Sequence, residues 1–129
     1  MTIGRISCGQ RGRITLYAGG LEVGKALVPP LIRTVRRRQG ATGLTIIDCP
    51  PGTSCPLVAA VGGADNVVVV TEPTAFGLHD LTLAVAALRE LDLSFGVVIN
   101  RAGVGDDRVE RWCREAGVPV HFQIPFTRE

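Results

Sequence analysis

The feature that most constrains the fold of this chain is its alternation of short apolar runs with longer amphipathic segments. Residues 66–71 include four consecutive valines without polar alternation, which is typical of a strand covered on both faces in a parallel sheet. Residues 78–91 place leucine and valine on one stripe at helical spacing, which predicts an amphipathic helix. Strands and helices that alternate in this way predict an α/β fold, a mostly parallel sheet covered by helices in three layers.

The remaining segments extend the same pattern along the chain. Further strands are predicted at residues 13–18, 44–48, 95–100 and 118–123. Further helices are predicted at residues 29–38, 57–61 and 106–116. Right-handed crossovers bring the carboxyl ends of parallel strands to one edge, where open α/β sheets bind their ligands. That edge is expected to carry Asp48, Thr71, Asn100 and Gln123.

Length and composition exclude several classes of protein. A chain of 129 residues predicts a single domain over residues 1–129. A net charge of +2 argues against a dedicated nucleic-acid binder, which carries a strong basic excess. No run reaches the roughly 18 apolar residues of a membrane span. Four scattered cysteines do not form a disulfide scaffold, so a cytoplasmic protein with reduced thiols is expected.

The segment that follows residues 44–48 has the chemistry of a nucleotide site. An apolar strand that ends in Asp48 places a carboxylate at the ligand edge, where it can hold Mg²⁺ through water. Gly52, after two prolines, leaves its N–H free to approach a γ-phosphate that a side chain would block. The alternative is that Asp48 caps the next turn, and the spacing alone does not decide between the two.

Five short motifs occur in order along the chain. They are IDCPPGTSCP (47–56), VTEPT (70–74), GLHDL (77–81), VINR (98–101) and IPF (124–126). In order and separation they resemble the MinD/ParA class of deviant P-loop ATPases, and within it the MinD-type ATPases that carry an inserted ferredoxin domain. The similarity runs from about residue 20 to the C-terminus and implies a P-loop nucleoside triphosphatase fold that binds ATP and Mg²⁺.

The resemblance also implies a role for each matching position. Asp48 is expected to be the carboxylate associated with Mg²⁺, and Gly52 the catalytic position that senses the γ-phosphate. The remaining cofactor-binding positions are Pro50 and Pro51 in the switch, Thr71 and Pro73 at the rim of the cleft, Asn100 on the adenine, and Pro125 in the base pocket. An amide suits adenine because it both donates and accepts hydrogen bonds. Without the other motifs, Asn100 would be interpreted as bonding its own turn.

One departure from the family bears on the mechanism. The family's phosphate-binding loop, which carries two lysines, and its ferredoxin insert are both absent, and Lys25 is the one lysine in the chain. The chain is therefore interpreted as the C-terminal part of such an ATPase, a fragment or a split subunit, inactive without the missing loop. Residues 19–25 fit G-x-x-x-x-G-K, but Ala26 replaces the Mg²⁺-binding hydroxyl and two prolines interrupt the helix start, so a phosphate loop there is disfavoured.

Two cysteines flank the switch segment. Cys49 and Cys55 could hold a metal, or an iron–sulfur cluster shared across a dimer, because two thiolates per chain need a partner's two to complete four ligands. Ordinary thiols are the favoured interpretation.

The function implied by the resemblance is an ATP-binding switch linked to the assembly of iron–sulfur or redox proteins. ATP would drive homodimerisation through the switch loop, or a complementing N-terminal half would complete the site, with iron–sulfur or redox proteins as clients. The alternative is a non-catalytic domain of the same fold that binds a partner. A flavodoxin-like receiver or redox module is a weaker alternative, because this chain lacks the acidic cluster that a receiver needs.

Overall fold

The first element that the structure describes is an antiparallel hairpin, which the apolar pattern does not predict. Strand β1 (Gly4–Arg11) pairs with strand β2 (Ile14–Leu21), with Arg11 opposite Ile14. Gly12 opens the two-residue turn with φ of 59°, as a type II′ hairpin turn requires. The strand predicted at residues 13–18 therefore exists, but it lies in an antiparallel ribbon, and its placement in a parallel sheet is wrong.

The computed structural model describes residues 4–22, 28–38, 40, 43–50, 52 and 55–127. Its contacts divide the chain into two compact units, Met1–Gly62 and Gly63–Glu129. That residues 1–129 form one domain stays a prediction.

The first unit packs two helices with the hairpin. Helix α1 (Val28–Arg36) lies so close to β2 that a Cβ on Gly19 would meet Val35 Cγ2 at 2.8 Å. Helix α2 (Cys55–Val61) is joined to α1 by Arg36 Nη1, which donates to the carbonyl oxygen of Ala59 at 3.2 Å. Both helices agree with the predicted segments to within two residues at each end.

The strand predicted at residues 44–48 is not formed. These residues have no regular secondary structure, and Leu44 and Ile46 are 90% and 85% exposed. A strand is held by a hydrogen-bonded neighbour, and none of the described residues pairs with this segment. Its apolar composition predicted burial that is not observed in this unit.

The second unit contains the parallel sheet. Its elements are β3 (Val67–Thr71), α3 (Ala75–Glu90), β4 (Phe95–Ala102), α4 (Arg108–Glu115) and β5 (Val120–Pro125). The three strands are parallel in the order β3-β4-β5. An α/β fold with a parallel sheet and helices is therefore confirmed, although three strands of the described chain form this sheet and not the predicted five.

The core of this unit lies on one face of the sheet. Leu81 and Val85 of α3 and Val109 of α4 pack against Val97 and Ile99 of β4, and all five are at most 1% exposed. The valines of β3 that point to the opposite face, Val68 and Val70, are 56% and 62% exposed. The predicted helical layer is thus present on one face among the described residues of this unit. None of the described helices is long and apolar enough to cross a membrane.

Candidate functional site

A cleft of about 290 Å³ opens where β3 and β4 end, beside the first turn of α3. Its lining residues come from these three elements and from the connection between β3 and α3: Val70, Thr71, Glu72, Thr74, Phe76, Gly77, Asp80 and Asn100. Its volume is just below the lower limit of small-molecule sites, about 300 Å³. Because the cleft lies where β3 and β4 end, it is at the edge where parallel α/β sheets bind ligands.

The wall of the cleft is built by a close approach of α3 to the end of β3. Thr74 caps the helix, and its hydroxyl accepts from the N–H of Gly77 at 2.9 Å. Thr71 Oγ1 donates to the carbonyl oxygen of Gly77 at 3.0 Å. A Cβ on residue 77 would overlap the carbonyl oxygen of Glu72, so the approach requires glycine.

The sequence-predicted residues of this unit are only partly brought together. Thr71 and Asn100 both line the cleft, in keeping with their expected place at the carboxyl edge. Pro73 is buried, and a Cβ on Gly105 would overlap its carbonyl oxygen, so Pro73 lies beneath the loop after β4 and away from the cleft lining. Pro125 pairs with Ala102 at the end of β5 and also does not line the cleft.

The cleft is rich in hydrogen-bond acceptors and contains two carboxylates. Glu72 and Asp80 face it together with the amide of Asn100, and no lysine or arginine belongs to its described lining. Carboxylates repel a triphosphate and accept hydrogen bonds from N–H donors. The site therefore suits a neutral group with N–H donors, such as a purine base, and does not suit phosphates.

Sequence reasoning missed three polar or aromatic residues of the cleft, Glu72, Phe76 and Asp80, and Phe76 is the clearest case. Phe76 lines it and is 75% exposed. The signal was available, because Phe76 is an aromatic residue in the first turn of α3 that lies off the buried stripe of Leu81, Val85 and Leu88. An exposed ring beside a cleft offers a stacking face for a base.

The proposed switch segment belongs to the first unit. Asp48 is exposed, Pro50 is half-buried, and Gly52 has φ of 106°, a left-handed conformation that favours glycine. Pro51, Thr53 and Ser54 lie outside the described residues. The backbone at residue 52 thus has the geometry that needs glycine.

The two flanking cysteines differ in their surroundings. Cys49 is half-buried, and its thiol donates to the carbonyl oxygen of Ile47 at 3.8 Å. Burial, and secondarily the charge of Asp48, raise the pKa of the Cys49 thiol, while Arg36 opposes the shift. Cys55 opens α2 and is exposed. Within the described ranges, no group of three or more histidine, cysteine or acidic side chains could hold a metal ion.

The glycine-rich segment at residues 19–25 does not begin as a loop. Gly19 and Gly20 pair with Ile6 and Arg5 inside the hairpin, so their backbone lies in a strand and not in a cradle for phosphate. Val23, Gly24 and Lys25 lie outside the described residues.

Two uncharacterized proteins of Methanocaldococcus jannaschii are similar to this chain. One is 36% identical over 85 residues, which cover 66% of this chain and 28% of the relative. The other is 29% identical over 112 residues, which cover 85% of this chain and 40% of the relative. The chain thus spans well under half the length of these relatives. No protein-family model and no solved structure matches it.

Proposed function

We propose that this chain is the base-binding part of an ATP-dependent switch of the MinD/ParA type. The observation that carries the proposal is the cleft at the ends of β3 and β4. It combines the amide of Asn100, the carboxylates of Glu72 and Asp80 and the ring of Phe76. Such a set suits the hydrogen-bonding edge and the face of adenine.

The phosphates, in this proposal, are bound by a loop supplied from outside these 129 residues. Two observations support this division of labour: the described lining of the cleft contains no cation, and the glycines at 19 and 20 lie in a strand. The exposed face of β3, with Val68 and Val70, provides apolar surface that a complementing segment could cover. The P-loop nucleoside triphosphatase fold is part of the same proposal.

Asp48 and Gly52 keep their proposed roles in the switch. Asp48 is an exposed carboxylate, which fits a water-mediated Mg²⁺ site because Mg²⁺ needs only one or two carboxylates when phosphates complete its shell. When bound, Mg²⁺ would neutralise charge on the transferring phosphoryl group. Gly52 would present its N–H to the γ-phosphate. Release of this phosphate after hydrolysis would end ATP-driven dimerisation.

An iron–sulfur cluster is not supported by the thiols of this chain alone. A cluster held by cysteines needs four thiolates, and Cys49 and Cys55 would supply two of them, so a partner's thiols would have to complete the set. The link to iron–sulfur or redox clients is therefore a proposal about partners.

A non-catalytic partner-binding domain of the same fold is the second candidate. The exposed valines of β3 favour it, because exposed apolar faces mark interaction sites.

The function is tested by measuring how strongly the chain binds adenosine. Asn100→Ala should weaken adenosine binding by about 1–3 kcal/mol, the cost of hydrogen bonds lost to a buried base. Asn66→Ala serves as the control, because Asn66 is exposed and does not line the cleft. Titrations followed by NMR give the adenosine affinity of each variant, and equal affinities of Asn100→Ala and Asn66→Ala would show that Asn100 does not bind the base.

A further inference from the structure

Arg101, next to Asn100, occupies an unusual backbone conformation. Its φ is 54°, in the left-handed region that non-glycine residues rarely adopt. Ile99 pairs with Gln123 and Ala102 pairs with Pro125. Between these two pairs, β4 advances by three residues and β5 by two. This register shift is a bulge-like irregularity, a feature that re-aims side chains beside binding sites.

The side chain of Arg101 connects the ends of all three strands of the sheet. Its Nη1 lies 3.6 Å from Oε2 of Glu72, the residue after β3. Its guanidinium lies 5.0 Å from the ring centre of Phe126, the residue after β5. The N–H of Phe126 donates to the carbonyl oxygen of Ala102 at 3.1 Å, which fixes the ring's backbone beside the bulge.

The backbone conformation and the side-chain contacts together indicate why residue 101 is an arginine. Asparagine and glycine adopt left-handed φ at lower cost than arginine, so an arginine here indicates that its side chain contributes something that they lack. Its contacts restrain Glu72, which lines the cleft with Asn100. A carboxylate accepts hydrogen bonds and donates none when ionised. It therefore favours a base with an exocyclic amino group over one with a carbonyl at that position.

We propose that Arg101 is a positioning residue that holds Glu72 to select amino-bearing purines, adenosine over inosine, in the cleft. This inference rests on the proposed function, because it assumes that the cleft binds a purine. Arg101 does not itself line the cleft. It acts through Glu72 and through the ring of Phe126.

The test measures the affinities of adenosine and inosine for the whole chain by ligand-observed NMR. Arg101→Asn keeps a side chain that tolerates left-handed φ and removes both contacts. Adenosine binding should weaken about 3- to 10-fold, the range that exposed ion pairs and cation–π contacts carry, with inosine little changed. Arg101→Lys should restore part of the preference because it keeps the charge.

Two further variants keep the outcome decisive. Glu72→Gln should reduce the preference even if Arg101→Asn fails to fold, because an amide can also donate to a carbonyl. Arg111→Gln is the matched control, since Arg111 pairs with Asp107 outside the cleft lining. An unchanged adenosine-to-inosine ratio in Arg101→Asn or Glu72→Gln, with Asn100→Ala still weakening adenosine, would overturn this inference alone. Absence of adenosine binding by the unmodified chain would overturn both proposals.

Discussion

A single glycine decides whether α3 can begin where it does. A Cβ at residue 77 would overlap the carbonyl oxygen of Glu72 and lie 3.0 Å from Thr71 Oγ1. Gly77→Ala should therefore destabilise the chain by about 1–3 kcal/mol, as overpacking does, and distort the cleft. Urea denaturation of Gly77→Ala beside Gly9→Ala provides the comparison, because a Cβ at residue 9 meets nothing within 4 Å. Equal stabilities of the two variants would argue against the close approach.

The carboxyl group of Asp106 provides a test of local electrostatics. Hydrogen bonds from the side chain and the backbone N–H of Arg108 lower the pKa of Asp106 to about 2. Since the folded pKa lies below the unfolded value of about 3.9, this pair stabilises the fold above pH 4. That stabilisation is lost as the pH falls toward 2.

Arg108→Gln should therefore raise the pKa of Asp106 toward its ordinary value. Arg111→Gln is the control, because Arg111 contributes the smallest cause of the shift and its loss should move the pKa less. Carbon-detected NMR titration of the Asp106 carboxyl measures both changes. A larger shift in Arg111→Gln than in Arg108→Gln would contradict the hydrogen-bonded pair.

Sequence reasoning at this scale succeeded where position along a strand decides the outcome. Thr71 and Asn100 were expected at the carboxyl edge and line the same cleft. Pro73 was expected there as well, but the loop that carries Gly105 buries it. That burial depends on how a distant loop folds back, which local patterns do not encode. The bulge at Arg101 was missed for the same reason, because it is defined by pairing with β5.

At the scale of elements, α3 provides the clearest test of the core. Leu81 is 1% exposed and packs against β4, whereas Leu83 on the same helix is 45% exposed. Leu81→Ala should cost about 2–5 kcal/mol of unfolding free energy, the range for buried leucines, and Leu83→Ala much less. Chemical denaturation measures both values. A comparable loss in the two variants would contradict the assignment of the buried stripe.

The same helix shows what periodicity predicts and what it misses. Its apolar stripe predicted that a helix forms here, but α3 begins at Ala75 and not at residue 78. The difference arises because the Thr74 cap adds a first turn that has no apolar spacing. The hairpin was missed since β1 and β2 expose most of their residues and lack clean alternation. For residues 44–48 the error is the opposite one, because an apolar segment was predicted to be a strand. A strand needs a hydrogen-bonded neighbour, and none of the described strands pairs with this segment.

For the molecule as a whole, we expect that this chain alone does not hydrolyse ATP. Loss of three or more charge-assisted hydrogen bonds, at about 1.5–3 kcal/mol each, would remove at least ~5 kcal/mol of phosphate binding. Phosphate-release assays with Mg²⁺ should stay at background. Adding a segment that bears a lysine-containing glycine-rich loop should restore turnover, and Asp48→Asn should abolish it again.

The outcome that contradicts this prediction is specific. Hydrolysis by the isolated chain that disappears in Lys25→Ala would assign the phosphate loop to residues 19–25. The P-loop fold and the ATPase class of this chain stay predictions that these assays test.

Base binding at the cleft is tested most directly by mapping adenosine onto the isotope-labelled chain by NMR. If the cleft at the ends of β3 and β4 binds the base, the backbone amide signals of Thr71, Gly77 and Asn100 should shift together and saturate. Those of the hairpin, such as Ser7 and Leu16, should stay in place. Shifts confined to the hairpin, or no saturable shift at the cleft with millimolar adenosine, would contradict the claim that this chain carries a base-binding site.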